Sequence, residues 1–173
     1  SRAVEGKGGG GNQGAVMTVK RVAIFADLHT GSTVAPWPES QVLVDGGKHR
    51  PNKYQRFLNK CLSDAIERVT AFEPDTIVLL GDMVQGGNPK KDMQLVTPKP
   101  SLHAAAAYTL LEPLTKLGAT LYYIRGTEWH EGQSSNHADG LAERLGCKRH
   151  PTTGAATWRR LYLEMGGQLV DFM

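Results

Sequence analysis

The sequence predicts a single α/β domain whose first sheet is largely parallel and whose C-terminal end is a β-hairpin. Three observations predict it. The short apolar runs VAIFA, TIVLL and ATLYYI read as buried strands. Segments of helical periodicity lie between and after them. Two further apolar segments flank a Gly-Gly pair near the C-terminal end.

Val19 to Ala26, VKRVAIFA, reads as the first strand; its apolar run begins at Val22 and stops directly before Asp27. Thr30 to Pro51 is long, irregular and rich in Gly and Pro, and loops of that length inside a compact domain are often functional. Asn52 to Phe72 is the clearest helix. Tyr54, Phe57, Leu58, Cys61, Leu62, Ala65, Ile66, Val69 and Phe72 recur every three or four residues and make one broad apolar stripe. Asn52 with Gln55 forms a capping box, and Pro74 ends the helix.

Thr76 to Leu80 is the second strand, ending at Gly81-Asp82. A second long loop, Met83 to Pro100, contains Gly86-Gly87-Asn88-Pro89. Ser101 caps a helix over Leu102 to Leu117 that Pro113 kinks and Gly118 terminates. Ala119 to Ile124 is the third strand and runs into Arg125 and then GTEWHEG, Gly126 to Gly132. A short helix covers His137 to Leu145. Trp158 to Met165 and Gln168 to Met173 pair across the Gly166-Gly167 turn.

Composition sets outer limits. The chain has 173 residues, 40% of them hydrophobic and 21% charged, enough for one domain with its own core. Its net charge of +3 is spread along the chain, so no run of like charge argues for nucleic-acid binding, although mild basicity suits an anionic phosphate substrate. Cys61 and Cys147 form no CxxC pair; Cys61 reads as a small core residue, and a reducing cytoplasm is the default location. No apolar stretch reaches the roughly 20 residues of a membrane span. Residues 1–16, with glycines at 8 to 11, read as a flexible, non-native leader, and 17–173 as the domain, with Met17 as the native start.

The chemistry concentrates at strand ends, where open α/β sheets gather ligand sites. In Asp27-Leu28-His29 the two polar residues are two apart, so in an extended chain they share a side while Leu28 turns inward. A carboxylate with an imidazole suits Zn, Mn or Fe. Gly81 lets the backbone bend, and Asp82 then emerges near Asp27, where a carboxylate can bridge two ions about 3.5–4 Å apart. In the third motif Glu128 can complete a metal shell and His130 can protonate a leaving alkoxide. Arg125 ends its strand beside these groups and either contacts phosphate or makes an ordinary ion pair. Lys48-His49-Arg50 reads as solvated loop charge, His103 as a surface residue, and Trp37 and Trp129 as packing under loops.

DLH after the first strand, GD after the second and a Gly-to-His-Glu segment after the third resemble the calcineurin-like metallophosphoesterase superfamily, and the loop variant resembles its phage and prophage members. The resemblance runs from about Lys20 to Met173. It implies a layered α/β sandwich, βαβαβ followed by the hairpin. It also implies a dinuclear centre of divalent Mn, Fe or Zn whose metal-bound hydroxide attacks a phosphoester, in a nucleotide, nucleic acid or smaller substrate. By resemblance Asp27 and His29 bind the first ion, Asp82 bridges both, and His130 acts near the leaving group. The family's Asn of Gly-Asn-His is missing; Glu128 is its best substitute, with Thr127 the alternative. The family's late histidines and GHxH segment are absent before the chain stops at Met173, which reads as an incomplete C-terminus. The alternative function is a binding or interaction module on the same fold without turnover.

Overall fold

The computed structural model describes residues 17–87, 94–131 and 136–173. The leader, Asn88-Pro89 and Gly132 lie outside the described residues. The fold is mixed α/β: β1 (Met17–Val19), β2 (Val22–Ala26), α1 (Lys53–Phe72), β3 (Thr76–Leu80), α2 (Pro100–Leu111), β4 (Thr120–Ile124), α3 (Glu128–Glu131), α4 (Asn136–Arg144), β5 (Leu161–Met165) and β6 (Gln168–Phe172).

Strands β2, β3 and β4 form a parallel sheet in that order, in register from Val22–Thr76–Thr120 to Ala26–Leu80–Ile124. The residues that follow the strand ends, Asp27, Gly81 and Arg125, therefore leave the sheet at one level. Strand alternation divides the core. Ile77, Leu79 and Tyr123 face the helices and meet Leu111 and Leu141, whereas Val78, Tyr122 and Ile124 face the second sheet and meet Leu161, Leu163 and Phe172. Each such side chain, fully buried, stabilises the fold by about 1.5–3 kcal/mol.

The second sheet corrects the sequence reading at its first element. Val19 to Ala26 is not one strand. β1 pairs parallel with β5, which pairs antiparallel with β6. The chain changes sheets at Lys20-Arg21, whose two amides both donate to Asp75 Oδ2, at 3.0 and 3.1 Å. The hairpin turn at Gly166-Gly167 closes Met165 onto Gln168, as its sequence requires.

The helices differ in detail from their sequence reading. α1 has the Asn52–Gln55 capping box. Its stripe is only partly covered: Ile66 and Val69 pack on the core, but Tyr54, Phe57 and Phe72 are exposed and so is Cys61, which is not a core residue. The reason is geometric. The stripe extends past β2, which is the edge strand of the parallel sheet. α2 starts at Pro100 rather than after a Ser101 cap, and Pro113 converts its last turn to a 3-10 helix over Glu112–Lys116.

The two long loops interlock: Thr33 N–H donates to Gln94 O at 3.0 Å and Val96 N–H to Gly31 O at 2.8 Å. Trp37 is fully buried beneath the first loop, and His103 is buried as well, not on the surface. A Cβ at Gly31 would overlap the His103 ring, so this imidazole sits directly under the loop backbone. Its Nε2 meets Thr97 O at 2.8 Å, and burial holds its pKa below the usual 6.5.

Candidate metal centre

The DLH and GD segments are zipped together by backbone rather than by side chains. Asp27 N–H donates to Gly81 O (3.3 Å), His29 N–H to Asp82 O (2.9 Å) and Thr30 N–H to Met83 O (3.1 Å). The chain is not extended here, contrary to the strand-alternation argument. Asp27, His29 and Asp82 all adopt positive φ, at 54°, 48° and 49°. Such a backbone costs a non-glycine residue about 1–2 kcal/mol. It is the turned backbone that brings Asp27 Oδ1 to 3.7 Å from His29 Nε2. Leu28 turns inward against the core.

Two glycines let the third segment approach. A Cβ at Gly81 would stand 2.9 Å from Gly126 Cα, and one at Gly126 would overlap Asp82 Oδ1 and the Asp82 amide nitrogen. Thr127 then donates its amide (2.8 Å) and hydroxyl (3.2 Å) to Asp82 Oδ1. The segment continues as the short helix α3, not as an irregular loop.

Ligand atoms of His29, Asp82 and His130 all lie within 4.8 Å of one another, and the two imidazole rings meet edge to face with centroids 4.6 Å apart. His130 Nδ1 contacts Gln85 O at 2.8 Å. His29 Nδ1 is buried with no hydrogen-bond partner. Asp27 flanks this cluster through His29. Glu128, at the start of α3, is exposed and outside the cluster. Arg125 has its Nε on Thr157 Oγ1 (2.7 Å) and its Nη2 paired with Asp139 Oδ2 (3.4 Å). It lines a separate recess of about 310 Å³ with His150, Arg159 and Arg160. The cluster itself opens on a cleft of about 720 Å³ between β2 and α1, floored by Ile24, Phe25, Leu58 and Leu62.

Glu131 holds the loops together, a role its sequence position did not disclose. Fully buried, it accepts from Asp82 N–H (3.1 Å) and Tyr123 O–H (2.9 Å) on Oε1 and from Gly126 N–H (2.8 Å) on Oε2. Burial, with a smaller contribution from the Asp82 charge, pushes its pKa up to about 7. One carboxylate thus ties the ends of β3 and β4 behind the cluster. The sequence signal for it was slight: an acid following His130 and a Thr before a short helix.

Comparison with family models and with curated proteins finds no match to this chain. Among the described residues, no helix is long and apolar enough to cross a membrane.

Proposed function

We propose that this chain carries the ion-binding centre of a metal-dependent phosphoester hydrolase on a metallophosphoesterase-type layered fold. The observation that carries the reading is the convergence of His29, Asp82 and His130 from three segments, after β2, after β3 and after β4. Two further features support it. Three strained non-glycine backbones sit at the motif residues, and strain of this kind clusters at functional sites. The donor set, imidazole and carboxylate, suits Zn, Mn or Fe.

The residues fit an ion on chemical grounds, because a buried imidazole nitrogen without a partner, His29 Nδ1, is costly unless something ligates it. When bound, a divalent ion supplies Lewis-acid activation of a phosphoester and of water. The chain's own groups do the rest. Asp27 orients the His29 ring. Thr127 fixes the Asp82 carboxylate. Glu131 holds Asp82 and Gly126 at their separation. The largely apolar cleft offers a place for the leaving group.

The test is hydrolysis of aryl phosphate mono- and diesters with Mn²⁺ or Zn²⁺ added. Turnover that disappears in Asp82→Asn is the expected result; no hydrolysis of any phosphoester by the metal-loaded protein would sink the reading. A second reading, an ion-binding module without turnover, draws on the exposed position of Glu128 and the Thr127 donors already committed to Asp82. Metal retained without hydrolysis would favour it.

A further inference from the structure

We infer that the centre is a one-ion site of two imidazoles and one carboxylate, with His130 as a ligand rather than the leaving-group acid. The inference rests on the metal-dependent reading above and departs from the two-ion arrangement that the motif resemblance implies.

The first argument is the His130 tautomer. Its Nδ1 lies 2.8 Å from the Gln85 carbonyl oxygen, which can only accept. Nδ1 therefore carries the proton. The other ring nitrogen, Nε2, is the one left open to an ion, the usual arrangement of a metal-bound histidine whose second nitrogen donates to a carbonyl. The His29 ring stands edge to face with that of His130 at a centroid distance of 4.6 Å. The Gln85 contact is also built in by the chain: Gly86 has φ +60°, and a Cβ there would overlap the His130 carbonyl group, so the 85–86 backbone is pressed against His130.

The second argument is the geometry of the donors. An ion about 2.1 Å from each of two ligands holds them at most about 4.2 Å apart. Atoms already within 4.8 Å close onto one ion with small side-chain adjustments.

The third argument is what a second ion would need. Thr127, the alternative to Glu128 as a second-ion ligand, already donates its hydroxyl to the Asp82 carboxylate, 3.2 Å from Oδ1 and 3.4 Å from Oδ2. Glu128 is exposed at the start of α3 and outside the cluster. Among the described residues, no other group of three or more His, Cys, Asp or Glu side chains converges in this way. Two histidines and a carboxylate with open positions suit Zn²⁺ or Fe²⁺.

The experiment is metal stoichiometry and affinity on the whole chain, by Zn²⁺ titration against a chromophoric chelator and by elemental analysis. One ion per chain is expected. His130→Ala should weaken Zn²⁺ binding at least about 100-fold, like His29→Ala, while Glu128→Gln leaves it unchanged. Circular dichroism checks the variants' folding. Independently of any variant, Zn²⁺ should shift two imidazole nitrogen resonances in isotope-labelled unaltered protein, His29 and His130. Two ions per chain, a His130→Ala protein that keeps wild-type affinity, or a His130 ring nitrogen that does not respond to Zn²⁺ would each overturn the inference. Its failure differs from that of the hydrolase reading. One ion held through His130 without phosphoester turnover would leave the inference standing and remove the hydrolase. Turnover with metal retained in His130→Ala would do the reverse.

Discussion

Replacing Gly126 with alanine tests how the three segments are held together. The added Cβ would fall well inside 3.0 Å of Asp82 Oδ1 and of the Asp82 amide nitrogen. A backbone nitrogen cannot rotate away, so one of the two loops must retreat. Retreat stretches Thr127 N–H to Asp82 Oδ1 and Gly126 N–H to Glu131 Oε2, both 2.8 Å. Overpacking of this kind costs about 1–3 kcal/mol, and a hydrogen bond to a charged group contributes about 1.5–3 kcal/mol. The two effects share atoms and are not fully additive, so the expected loss is about 3–5 kcal/mol. For a chain of this size each kcal/mol moves the melting point by about 2–4 °C, which puts Gly126→Ala roughly 10 °C below the parent. Thermal unfolding by circular dichroism reads this directly. Zn²⁺ affinity should fall about 10- to 100-fold, because the Asp82 carboxylate loses its support. A melting point within about 2 °C of the parent, with unchanged Zn²⁺ affinity, would refute the packing argument.

Gly140 is the contrasting glycine: it is exposed in α4 with nothing within 4 Å of a built Cβ, so Gly140→Ala should stabilise by about 0.5–1 kcal/mol, read as a rise in melting point. His103 carries a pH signature. Burial lowers its folded pKa, so the unfolded chain takes up the proton first; its contribution is constant above pH 6.5 and is lost as the pH falls below that value. Denaturant midpoints of wild type minus His103→Phe should therefore decline between pH 7 and pH 5, and a flat difference would contradict the assignment. Cys61 is exposed beside the cleft, whereas burial pushes the Cys147 thiol up to about 12, so a disulfide reagent at pH 8 should titrate one fast thiol in the native protein and two after unfolding. Two fast thiols in the native state would show that Cys147 is accessible.

The sheet was legible because its three central strands are short, continuous apolar runs separated by helical periodicity. Any chain that buries both sheet faces needs that pattern. Strand β1 was not legible: three residues give no periodicity, and its partner β5 lies at the far end of the chain. The α1 stripe was read correctly as a pattern and wrongly as burial, because periodicity fixes a face and not what covers it. At the centre, the motif residues Asp27, His29, Asp82 and His130 were singled out by residue type and strand position. The sequence expected them to meet at the strand ends but not by what means: His29, Asp82 and His130 come together through left-handed backbone at ordinary L-residues and the absent Cβ atoms of Gly81 and Gly126. Glu131 and His103 illustrate one limit. Both are polar residues whose burial is set by distant partners, Tyr123 and Asp82 for one and the Gly31 backbone for the other.

The positive φ values at Asp27, His29 and Asp82 carry an evolutionary consequence. Around Asp27 and His29 the loops are fastened by main-chain bonds that any residue can make, and glycine would occupy either position without the conformational cost, whereas the Asp82 carboxylate itself takes the Thr127 bonds. A library of this chain sorted only for heat resistance should therefore drift toward glycine at Asp27 and His29, while one sorted for retention of a metal should keep the carboxylate and the imidazole. The strain turns the centre into a record of selection: so long as its chemistry matters the costly residues persist, and once it ceases to matter the fold is more stable without them.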